Sequence, residues 1–151
     1  MFDPREILNT LNRHNVQYVV IGGFAATLHG CPEQTYDLDI LYADTLDNRR
    51  RLLAALQEMD ARWDVPLTDE VLRRQPIFAL NTRLGDLDIL SDVLGVGTYA
   101  DAEPHIQRME LAGQSVPVLD LATLIATKEA TDDPNPRKRA ALDYLRELRK
   151  R

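Results

Sequence analysis

Cysteine is almost absent. Cys31 is the one thiol in 151 residues, which excludes an intrachain disulfide and makes a reducing compartment the simpler setting. Long apolar runs are missing as well: the longest nearly apolar stretch, residues 19–28, is far shorter than the roughly 20 residues of a membrane-spanning helix. The opening M-F-D-P-R-E has neither the basic nor the apolar segment of a secretory leader. A cytoplasmic protein with no membrane partner is therefore expected. Nor is there a repeat of domain length, or an excess of positive charge that would mark the whole chain as a nucleic-acid binder.

What is present suits one domain over residues 1–151. The chain is 44% hydrophobic and 28% charged with a net charge of −6, and its length allows a sizeable core without staples. Residues 137–151 hold seven of the 18 Lys+Arg and two of the 24 Asp+Glu, a balance of +5 that leaves −11 on the rest. This segment is expected to be a basic C-terminal helix. It could bind RNA phosphates or an acidic partner, although a solvated face is the commoner outcome for such runs, as it is for Arg49-Arg50-Arg51. No aromatic platform accompanies either cluster, so stacking on a single strand is not expected.

Helical and extended patterns alternate along the chain, which indicates an α/β (α+β) fold. Asp3-Pro4-Arg5-Glu6 reads as a capped helix start with Glu6 at the capping-box position. Residues 17–21 read as a buried strand broken by Gly22-Gly23, with a short helix over 24–29 stopped by His29-Gly30 in the manner of a glycine C-cap. D-L-D-I-L occurs twice, at 37–41 and 86–90, the second copy ending a hairpin that turns on T-R-L-G. Alternate strand residues face opposite ways, so each copy buries Leu and Ile while presenting two carboxylates. If the two strands are neighbours, up to four carboxylates share a patch, which destabilises the fold unless a cation binds. Asp120 caps a further helix in which Leu121, Leu124 and Ile125 form the apolar stripe, and Lys128 continues that stripe inward.

The segment Ile21-Gly22-Gly23, followed after thirteen residues by Asp37-Leu38-Asp39-Ile40, resembles the signature of the polymerase β-like nucleotidyltransferase superfamily. The G-G-x-A-x-x-x-H-G form, the G-x-L-D of residues 85–88 and the V-L-D-L-A-T-L-I-A-T-K segment look most like AbiEii-type and related small bacterial nucleotidyltransferases. The resemblance implies a nucleotidyltransferase fold, a small mixed β-sheet packed by helices. It implies Mg²⁺ or Mn²⁺ held by Asp37, Asp39 and Asp88 as catalytic carboxylates, with Asp86 the runner-up for the third, and an NTP substrate met by Gly22, Gly23 and Lys128.

Many members carry serine at or near the second glycine. Here Gly23 and Phe24 offer no hydroxyl, which leaves phosphate contact to backbone amides. Relatives also show R-x-K-D in the last helix, where this chain has Pro136-Arg137-Lys138-Arg139. The implied reaction is NMP transfer to a hydroxyl. Its acceptor stays open among RNA 3′ ends (tRNA included), protein side chains and small molecules, in a toxin–antitoxin or defence setting with room for a partner protein. The alternatives are a non-catalytic binding module on the same fold and, less fittingly for this length, a D-x-D glycosyltransferase.

Overall fold

The structure is a computed structural model that describes residues 1–32 and 34–151. Its first helix, α1 (Pro4–Arg13), starts with proline in its first turn, and the Asp3 carboxylate accepts the Glu6 N–H at 3.1 Å. One donor left open by every helix start is thereby satisfied. The capping box expected at Glu6 is only half made. The Asp3 N–H instead donates to the Leu84 carbonyl at 2.7 Å, and the Glu6 carboxylate lies 3.8 Å from Arg13. A donor that could have been satisfied locally ties the chain start to a distant turn.

Six strands form one mixed sheet: β1 (Tyr18–Ile21), β2 (Asp37–Tyr42), β3 (Ile77–Thr82), β4 (Gly85–Leu90), β5 (Ile106–Leu111) and β6 (Gln114–Leu119), in the order β3-β4-β2-β1-β6-β5. The pairs β2–β4 and β1–β6 are parallel; the other three are antiparallel. The β3–β4 turn is closed by Thr82, whose hydroxyl donates to the Gly85 carbonyl at 2.7 Å and accepts the Leu84 N–H at 3.0 Å. Among the described residues, the side-chain hydrogen bonds that close this turn thus come from Thr82 and not from Asp86.

The two D-L-D-I-L copies pair residue for residue, Asp37 with Asp86, Leu38 with Leu87, Asp39 with Asp88 and so on to Leu41 with Leu90. Leu38, Ile40, Leu87 and Ile89 are wholly buried. A slip of one residue would turn every carboxylate into the core and every Leu and Ile out of it. Burying several unpaired carboxylates costs far more than any alternative pairing could return, so the register is fixed.

Helix α2 (Gly22–Leu28) packs on β1, β2 and β6, and also on α6 (Leu121–Thr131), which in turn packs on α7 (Pro136–Arg149). Both α1 and α3 (Leu46–Glu58) feed the core, through Ile7, Leu8 and Leu11 and through Leu52 and Leu56. Two short helices, α4 (Asp69–Leu72) and α5 (Tyr99–Ala102), complete the α elements.

Arg49 departs from expectation. Of the three consecutive arginines only Arg50 and Arg51 are exposed, whereas Arg49 is 8% exposed. Its Nε donates to Asp69 at 2.6 Å and its Nη1 to Asp44 at 2.8 Å. It lies one turn into α3, where the chain entering the helix and the start of α4 each supply a carboxylate. The charge is satisfied within the fold and does not form a solvated run.

Candidate active site

The parallel pairing of β2 with β4 stacks the carboxylates side by side, and one oxygen from each of Asp37, Asp39 and Asp88 lies within 4.8 Å of the others. Among the described residues no other group of three potential ligands converges in this way. Asp86, the runner-up, is exposed and outside the cluster. The Oδ1 of Asp39 is buried and has no hydrogen-bond partner. Burial, followed by the charges of Asp37 and Asp88, pushes the Asp39 carboxyl up to about 8, while the Lys138 ammonium pulls it back. Asp88 is also raised, chiefly by burial, and accepts a hydrogen bond from Asp39. Without a cation, then, the pair retains a proton near neutral pH. Three converging hard oxygens, one of them buried and unsatisfied, with no thiolate or imidazole among them, fit Mg²⁺ or Mn²⁺.

The glycine turn lies directly against this cluster. Helix α2 begins at Gly22, two residues earlier than the sequence pattern suggests, because both glycines are absorbed into the turn that brings the backbone to Asp39. Gly22 has φ +69°, and a Cβ built there would sit 2.1 Å from Asp39 Oδ2 and 3.0 Å from its Cγ. No side chain fits that position. At the other end of α2 the Cys31 N–H donates to the Ala26 carbonyl at 2.9 Å and the Gly30 N–H to the Thr27 carbonyl at 3.0 Å. This is the Schellman arrangement expected of a glycine stop. His29 Nε2 lies 2.8 Å from the Leu119 carbonyl, to which it donates, so His29 joins the helix end to β6 and takes no part in the site.

Lys128 projects as its place in the stripe implies, lining two neighbouring cavities of about 340 Å³ and 250 Å³. Lys138 lines both as well. The larger is floored by Ile21, Leu90, Val93 and Leu142. The smaller runs from Gly23 past Thr35 and Asp37 to Arg137.

Two further residues, Lys138 and Thr35, line this neighbourhood. Lys138 precedes Leu142 by four and Leu145 by seven, so although exposed it lies on the side of α7 that those residues turn to the core, and the same periodicity marks it. Thr35 lies in the loop entering β2, where no periodicity operates. Its hydroxyl lies 3.2 Å from Asp37 Oδ1 and from the Asp37 carbonyl.

Solved structures share this architecture. The chain superposes on the lincosamide antibiotic adenylyltransferase LnuA, lincomycin-bound, with a TM-score of 0.69 at 12% identity, covering 96% of this chain and 95% of that one. It superposes on ANT(2″)-Ia in complex with adenylyl-2″-tobramycin with a TM-score of 0.64 at 17% identity, covering 94% and 84%. TM1012 of Thermotoga maritima, a candidate nucleotidyltransferase, gives a TM-score of 0.60 at 21% identity over 100% and 97%. At such identities the likeness is one of fold, and it defines the chain as a protein of the nucleotidyltransferase fold. No protein-family model matches the sequence and no curated protein is detectably similar to it.

Proposed function

We propose that this chain is a metal-dependent nucleotidyltransferase that moves an NMP from an NTP to a hydroxyl and releases pyrophosphate. The observation that carries the reading is the buried, unpartnered Asp39 oxygen among three converging carboxylates, set against a glycine turn too close for any side chain. Such an arrangement is costly in an empty fold and makes sense as a preformed cation site.

Asp37, Asp39 and Asp88 are the residues that would hold Mg²⁺ or Mn²⁺. A divalent ion bound there would neutralise phosphate charge and acidify the attacking hydroxyl. Asp88, the less buried of the hydrogen-bonded pair, is the base that accepts the acceptor hydroxyl's proton as its oxygen bonds to the α-phosphorus and the bond to the β-phosphate oxygen breaks. The amides of the Gly22–Gly23 turn, Lys128 and Lys138 are the groups that would meet the leaving pyrophosphate. The motif order of the AbiEii-type proteins supports a toxin–antitoxin or defence enzyme acting on RNA or on a protein. The fold shared with two antibiotic adenylyltransferases supports a small hydroxylated acceptor equally well.

Incubating the protein with each α-labelled NTP, Mg²⁺ or Mn²⁺ and a cell extract is expected to transfer label to one class of molecule. Labelling of nothing, with NTP binding intact, would instead support the non-catalytic module. Lys138 supplies a narrower prediction. Lys138→Met removes one cation from the site without enlarging the cavity, and it is expected to raise the KM for NTP by roughly tenfold with a smaller change in kcat. An unchanged KM would take Lys138 out of the triphosphate site.

A further inference from the structure

The glycine turn has no hydroxyl of its own, yet one stands beside it. A Cβ built on Gly23 would lie 3.2 Å from Thr35 Oγ1 and 3.6 Å from Thr35 Cβ. The Thr35 hydroxyl therefore fills the space into which a side chain at position 23 would grow. From there it reaches Asp37 Oδ1 and the Asp37 carbonyl, each at 3.2 Å. Both Asp37 oxygens are acceptors, so the hydroxyl's single proton is the donor to this pair, and the carboxylate oxygen is one of its two acceptors. Thr35 also lines the smaller cavity together with Gly23, Asp37, Lys128 and Lys138.

We propose that Thr35 is the positioning residue of the metal site: its hydroxyl, seated against Gly23, holds the Asp37 carboxylate in the ligating orientation. Resting on the metal-dependent reading above, it assigns to the strand-entry loop a task that a serine at position 23 could perform from the glycine turn. Three physical reasons support it. Asp37 is the first residue of β2, and on its N-terminal side no strand register constrains the chain. A carboxylate there is free to rotate unless something fixes it, and a ligand held in one rotamer binds metal more tightly than one that must be ordered at each binding event. Finally, Thr35 is β-branched, so its own χ1 is stiff and the hydroxyl is delivered at a defined angle.

The position 23 backbone has no left-handed constraint, since Gly22 and not Gly23 carries the positive φ. Among the described residues, the atoms within 4 Å of a Cβ at 23 belong to Thr35, the closest at 3.2 Å, so a serine there is crowded by Thr35 and gains room when Thr35 is shortened.

The test is Mn²⁺ binding to the whole chain by titration calorimetry, alongside melting temperatures in chelator, for wild type, Thr35→Ser, Thr35→Val and the double variant Thr35→Ala/Gly23→Ser. Thr35→Val keeps shape and loses only the hydroxyl. It is expected to weaken Mn²⁺ binding about tenfold or more with little change in the chelated melting temperature. Thr35→Ser is expected to bind within about threefold of wild type, taken as the scatter of a conservative change whose hydroxyl is retained. Thr35→Ala/Gly23→Ser is expected to recover most of the loss seen in Thr35→Val. Thr35→Val binding Mn²⁺ as tightly as wild type would overturn the proposal. So would equal weakening of Thr35→Ser and Thr35→Val, which would point to packing alone. If wild type itself binds no Mn²⁺, the metal-dependent reading fails before the role of Thr35 is reached.

Discussion

Asp39→Asn is expected to abolish nucleotide transfer, by at least about 10³-fold or roughly 4 kcal/mol of transition-state stabilisation, and at the same time to make the metal-free protein more stable. The change is isosteric, so packing is preserved; what disappears is a charge. In the metal-free wild type, burial and its two acidic neighbours push the Asp39 carboxyl up to about 8. The unfolded chain releases that proton near the ordinary carboxyl value of about 4. Between these two values the folded chain binds a proton that the unfolded chain does not, so stability falls as pH rises.

The stabilising contribution is complete below about pH 4 and gone above about pH 8. Asparagine has no proton to lose and flattens this slope, and the melting temperatures of variant and wild type should diverge upward from pH 5 to pH 9. Saturating Mn²⁺ should raise the wild-type melting temperature more at pH 8.5 than at pH 6, because metal and proton compete for the same oxygens. A parallel pH dependence in both proteins would contradict this account of the cluster.

Gly22→Ala should damage both fold and function. An L-residue forced to φ +69° costs about 1–2 kcal/mol, and the added methyl would overlap Asp39 Oδ2 at 2.1 Å. Because Asp39 Cγ and Cβ are also within 3.2 Å of it, the whole carboxylate must swing aside. A total loss of about 2–4 kcal/mol of stability follows. An approximately 10²-fold loss of transfer also follows, the usual cost of moving a reacting group by an ångström. Gly30→Ala, at another positive-φ glycine with no atom of the described residues within 4 Å of the built Cβ, is the control: it should cost some stability and leave transfer in the remaining folded protein unchanged. Equal losses of specific activity at both sites would mean that the contact between Gly22 and Asp39 has no functional weight.

The sequence exposed the strands, caps and carboxylates because each is written in short-range chemistry. Alternation in D-L-D-I-L separates the buried residues from the acidic ones, and Asp3 and Asp120 each cap the helix that follows. The parallel register that unites Asp39 with Asp88 could be conjectured only from the identity of the two copies. Arg49 reads as solvated in the sequence because its partner Asp69 is twenty residues away and no short-range pattern joins the two. Thr35 is invisible to periodicity, since its importance comes from the approach of two loops. Lys138 is legible from the period of α7, although it sits in a run of basic residues that otherwise face solvent.

The account depends most on the claim that the three carboxylates form a cation site. Calorimetric titration of the whole chain with Mn²⁺ at pH 8, comparing wild type with Asp37→Ala, addresses it without any knowledge of the acceptor. The account predicts saturable binding in wild type that is lost or weakened at least about tenfold in the variant. Indistinguishable heats from the two proteins would contradict it.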